Sequence, residues 1–151
     1  MKRLSVFILS LCLLPAAWAN EVPGLVVKQS PHSTSETLDR LENVLQKKGI
    51  SIVTRWNHGE KAAGVDIPLR DTELLLFGNP ALGSHMFTSE QTSGIDLPMK
   101  ALAWKDANGQ VWLGYNDPQY IADRHGIDDR SEVINKMQGA LDKLSDAAIA
   151  R

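Results

Sequence analysis

The sequence predicts one α/β domain of the α+β kind, and three observations carry that expectation: a strand–helix–strand opening, a hairpin built on Asn-Gly, and a capped amphipathic helix at the C-terminus. In the opening unit, Leu25 to Lys28 follows Pro23-Gly24 as a short strand and Ser30-Pro31-His32 breaks it. Ser33-x-x-Glu36 is a capping box. Behind it Leu38, Leu41, Val44 and Leu45 recur at helical spacing, Lys47 and Lys48 suit the negative end of the helix dipole, and Gly49 provides a left-handed stop. Ile50 to Trp56 is β-branched and reads as the second strand.

A polar stretch from Asn57 to Gly64 leads through Pro68 to Glu73–Phe77, whose unbroken apolar run predicts a strand covered on both faces. Gly78-Asn79-Pro80 must turn, and Leu82 to Gln91 carries only a weak helical pattern. The hairpin pairs Lys100–Lys105 with Gln110–Tyr115 around Asp106-Ala107-Asn108-Gly109. A type I turn with Gly109 in a G1 bulge sets Trp104 opposite Trp112, whereas a two-residue Asn-Gly loop sets Lys105 there; the first is favoured. Asp117 before Pro118 predicts an N-cap and a short helix to Gly126, and Asp129-x-x-Glu132 predicts the cap of the last helix. Val133, Ile134, Met137, Leu141 and Leu144 give that helix one apolar stripe for the sheet.

The 151 residues divide into a leader, 1–19, and one domain, 20–151. Lys2-Arg3, the apolar run Leu4–Leu14 and Ala17-Trp18-Ala19 form the three regions of a secretory signal peptide, with cleavage expected after Ala19 and a soluble periplasmic product. The run is shorter than the roughly 20 residues a membrane-spanning helix needs. Cys12, the one cysteine, sits inside that run behind Leu11, which argues against lipidation; it leaves with the leader, and the remainder has no thiol chemistry. Losing Lys2 and Arg3 leaves 14 basic against 18 acidic side chains, a net charge near −4 that offers nucleic acid or an anionic membrane no electrostatic footprint.

Four runs, Val26-Val27-Lys28-x-Ser30-x-His32-Ser33, Leu76-Phe77-Gly78-Asn79-Pro80, Asp96-Leu97-Pro98 and Tyr115-Asn116-Asp117-Pro118, occur in an order that resembles the family catalogued as domain of unknown function 302. The resemblance spans nearly the whole of residues 20–151. It implies a fold similar to the TATA-box-binding-protein-like fold, with a helix after the first strand and a curved antiparallel sheet, and it implies dimers. It implies no activity and no cofactor.

The histidines His32, His58, His85 and His125 lack any zinc spacing, and no G-x-S-x-G elbow, dinucleotide fingerprint or P-loop is present. The candidate ligand-binding residues are therefore drawn from strand ends: His58 after the second strand, Asn79 after the third, and Tyr115, Asn116, Asp117 and His125 at or beyond the fifth. Imidazole, amide, phenol and carboxylate together suit a small polar ligand or a metal. The expected function is a periplasmic small-molecule or metal binding or accessory module. The alternatives are a non-covalent enzyme using His and Asp as acid and base, and a structural interaction protein. Helices enough for one sheet face, with apolar residues pointing to both, predict a homodimer.

Overall fold

The structure, a computed structural model, describes residues 22–151. The expected leader and Cys12 lie outside those residues. The chain runs β1 (Leu25–Ser30), α1 (Thr34–Lys47), β2 (Ser51–Asn57), α2 (His58–Ala63), β3 (Thr72–Gly78), α3 (Pro80–Ser89), a 3-10 turn (Gln91–Ile95), β4 (Met99–Lys105), β5 (Val111–Asn116), α4 (Pro118–His125) and α5 (Ser131–Ile149). The five strands form one antiparallel sheet in the order β1-β5-β4-β3-β2. α1 links the two edge strands and therefore crosses the sheet, with α5 packed beside it.

Local chemistry accounts for most boundaries. The Ser33 hydroxyl accepts from the Glu36 N–H, and the Asp117 carboxylate accepts from the Gln119 N–H ahead of Pro118. Gly126 ends α4 at φ 68°, the left-handed conformation that a side chain disfavours. Gly109 is likewise left-handed, at φ 81°, and Trp104 pairs with Trp112, so the bulged turn is the one that forms. Two expectations change. α2 forms inside the stretch read as polar loop, with the Asn57 side chain accepting from the Glu60 N–H. α5 starts from Arg130 with no side-chain cap, because the Asp129 carboxylate accepts instead from the Ser89 hydroxyl and Arg130.

β3 corrects the reading of a doubly covered strand: its burial alternates, with Glu73, Leu75 and Phe77 beneath the helices and Leu74 and Leu76 on the opposite side. The helical side holds the core, where Leu38, Leu41 and Leu45 meet Leu75, Ala101, Ala103 and Leu113, and Ile134, Met137, Leu141 and Leu144 join them from α5. Lys28 on β1 is held by Asp142 and Asp146 of α5, each at 2.6 Å. Burial works against its charge, but the two carboxylates outweigh burial and raise its pKa. Tyr115 lies buried under the same helix, and burial raises its phenol pKa.

Among the described residues no helix spans the other face, where Lys61 of α2 lies 5.1 Å from the Trp56 ring. One row of register partners crosses this face: Trp56, Leu74, Leu102, Gly114 and Val27. The ring of Trp104 lies over Gly114, where an added Cβ would stand 3.0 Å from it, so glycine lets the indole lie flat on the sheet.

Trp112 donates its indole N–H to Asp106 at 2.9 Å, the leading cause that lowers the Asp106 pKa; burial opposes it, while the Gln110 and Asn108 N–H groups and Arg70 add to it. A carboxyl depressed on folding contributes stability above its unfolded pKa and loses it as pH falls through the folded value. The expected result is an indole N–H resonance of Trp112 that titrates only below the usual aspartate range. NMR in acid checks it, and Asp106→Asn abolishes that titration.

Candidate functional site

β3 and β5 run in the same direction, away from the 106–110 hairpin loop, and their ends lie at one end of the sheet. Asn79, Asn116, Asp117 and the Asp96-Leu97-Pro98 turn gather there. His58 does not: Asn57 pairs with Glu73 near the beginning of β3, so His58 stands at the hairpin end, roughly 20 Å from Asn79 at about 3.3 Å per strand residue. Asp117 and His125 stand at opposite ends of α4, about 12 Å apart at the helical rise. One small ligand does not bridge His58, Asp117 and His125.

Asp117 and His125 have side-chain partners in the fold. Asp117 accepts from Gln119 and from the Gln138 side chain. Tyr115 points beneath α5, as described. Asn116 ends β5 as a half-buried residue, paired with Leu25.

His125 is the most engaged. Nε2 meets Asp96 Oδ2 at 2.7 Å, Nδ1 meets the Thr92 hydroxyl at 3.0 Å, and Arg124 reaches the other Asp96 oxygen at 3.1 Å. An ionised Asp96 only accepts, so Nε2 carries the proton and Nδ1 faces the hydroxyl. Aspartate, histidine and hydroxyl thus line up in relay order, but their setting opposes hydrolysis. Glu90 accepts from the Thr92 N–H at 3.0 Å, so a carboxylate stands where an oxyanion would need donors. That N–H, then the Thr92 hydroxyl, lower the Glu90 pKa against a small opposing effect of burial. With both ring nitrogens committed, the cluster acts as a staple between the end of α4 and the turn before β4. Among the described residues no group of three or more His, Cys, Asp or Glu is placed to hold a metal ion.

The same end of the sheet contains a cavity of about 60 Å³ between α5, α3 and the ends of β3 and β4. Phe77, Leu97, Met99, Met137, Leu141 and Leu144 are its buried floor and walls. Its rim is half-exposed and includes Ile50, Asn79, Leu82, Gly83 and Ala140. Asn79 is the one member of the sequence-derived set that lies on this cavity, and the one polar side chain in its lining. Its carbonyl oxygen accepts from the Ala81 N–H and fixes the start of α3. An added Cβ on Gly83 meets nothing within 4 Å, so this rim position of α3 faces open space.

Sequence reasoning found Asn79 through its turn and missed the rest. Asp96 was visible only as part of a motif. Gly83 inside a helical pattern was the one local sign of an opening, since glycine there weakens the helix by about 0.5–1 kcal/mol.

Comparison with known proteins agrees with this architecture. The family described as Domain of unknown function DUF302 matches residues 26–144. The crystal structure of an uncharacterized conserved DUF302 protein from Bacillus stearothermophilus superposes with a TM-score of 0.76 at 18% identity, covering 84% of this chain and 99% of that one. Among curated proteins, "Fluoride-specific ion channel FluC 1" of Brucella suis is 42% identical over 113 residues, which is 75% of this chain and 44% of that protein. The protein of the same name from Brucella abortus is 42% identical over 113 residues, 42% of its length. The chain thus spans less than half the length of these relatives. Among the described residues no helix is long and apolar enough to cross a membrane.

Proposed function

The chain belongs to the Domain of unknown function DUF302 family, and from that premise we propose that it is an exported, non-enzymatic module that binds a small molecule in the cavity between α3 and α5. One observation carries the reading: a preformed, open-mouthed apolar cavity with a helix-capping asparagine on its rim. The partners on both ring nitrogens of His125, and the two donors on one oxygen of Asp117, weigh against the acid–base alternative. The Brucella relatives carry the matched segment as under half of a longer protein, which favours an accessory role beside another component. Export to the periplasm rests on Lys2-Arg3, Leu4–Leu14 and Ala17-Trp18-Ala19.

The test is methyl NMR under xenon pressure, because xenon enters apolar cavities without needing a polar contact. The methyls of Met99, Met137 and Leu141 shift, and Gly83→Leu, which fills the opening, abolishes the shifts. Methyls that ignore xenon overturn the reading.

The uncovered face supports association with a second copy. Val27 and Trp56 are 42% and 48% exposed on a face whose row across the sheet carries no charge. Val65, Ile67 and Leu69, also exposed, extend apolar surface beyond α2. Light scattering at tens of micromolar is expected to give twice the chain mass, and Val27→Glu to give the monomer. A monomeric parent protein overturns the dimer.

A further inference from the structure

We infer that the cavity between α3 and α5 takes the end of an unbranched aliphatic chain whose carboxylate is met by Lys136 and Lys143; this rests on reading the cavity as a binding site. Size sets the first limit. A benzene ring occupies an apolar cavity of roughly 150 Å³, and this one has about 60 Å³. A ring is too large, whereas a chain end of a few carbons fits. The floor offers Phe77, Leu97, Met99, Met137, Leu141 and Leu144 and no hydrogen-bonding side chain, so the inserted part is hydrocarbon.

The rim supplies the second, independent observation. In α5, Lys136 and Lys143 lie four residues before and three after Ala140 of the rim, which places all three on one stripe of the helix. Both lysines are exposed and neither forms an ion pair among the described residues. Of the acids on α5, Asp142 and Asp146 are occupied by Lys28, while Glu132 lies one turn before Lys136 on the same stripe without an ion pair to it. Across the mouth, α3 contains no acidic residue. A domain with more acids than bases therefore presents two cations without an ion pair among the described residues, and no carboxylate on the facing helix, beside this apolar cavity. An anion there gains attraction from both lysines while its chain fills the cavity, and Asn79 at the lip has amide hydrogens for the same head group.

The experiment titrates the methyl-labelled full domain with sodium alkanoates from butanoate to decanoate and with 1-alkanols of the same lengths. Alkanoates are expected to shift the Met99 and Met137 methyls. Each added methylene tightens binding about fourfold until the chain end reaches the floor, after which the gain stops. Alkanols bind more weakly at every length. Lys136→Glu with Lys143→Glu, both at the surface, weakens alkanoate binding about tenfold and leaves alkanols unchanged. Alkanols that bind as well as alkanoates, or a charge reversal without effect, overturn the inference. A xenon response without any alkanoate response overturns it alone, and silence toward both overturns the binding reading as well. If the methyls respond to phosphatidylglycerol vesicles but not to alkanoates, the ligand is a membrane lipid and the assignment to a free carboxylate falls.

Discussion

Arg55→Ala is expected to lower stability by about 3 kcal/mol, near the lower end for a buried carboxylate stripped of its partner. Arg55 bonds Glu73 at 2.9 and 2.7 Å through Nε and Nη2, Asp39 through Nη1, and the Ser35 carbonyl at 3.1 Å. It thereby fastens α1 to the sheet through one side chain. Burial disfavours its charge, but the bonds from Asp39 and Glu73 outweigh burial and hold its pKa above the ordinary value. The cost does not come from the exposed half of the network, since surface pairs contribute about 0–1 kcal/mol. It comes from Glu73, whose side chain is 9% exposed and would be left charged without a counterion. Denaturant unfolding checks the value. Arg55→Met combined with Glu73→Leu recovers most of the loss, because that pair removes both charges rather than orphaning one.

Leu38→Ala is expected to cost about 3–4 kcal/mol, within the range for truncating a fully buried leucine. Leu38 is inaccessible on α1, at the centre of the contact between that helix and the sheet. Its neighbours come from a helix and strands with fixed registers, so the space closes poorly after truncation. The contrast within the same helix is Val44, half-buried at the edge of the core. Val44→Ala is expected to cost about 1 kcal/mol, and urea midpoints of the two variants rank the sites.

Where information is local, the chain discloses its structure. Ser33 and Asp117 mark helix starts because a side-chain oxygen must satisfy an N–H within three residues. Gly109 fixes the hairpin register because its left-handed φ selects the bulged turn, and that register opposes Trp104 and Trp112. Leu74 to Phe77 misled because hydrophobicity records only that a residue avoids water. Leu74 and Leu76 lie on a face that no helix among the described residues spans. The Asp96–His125 contact joins residues 29 apart and leaves no periodic trace. The cavity is harder still, since its rim brings together Gly83 of α3 and Ala140 of α5, small residues in helices distant along the sequence.

Native mass spectrometry of the full chain, purified gently from the cells that make it, tests the central claim most directly. The account predicts a parent protein carrying the mass increment of one small molecule per chain, and a folded Gly83→Leu variant without it. A parent protein that carries no such increment, or a Gly83→Leu variant that retains it, contradicts the assignment of the cavity as the binding site.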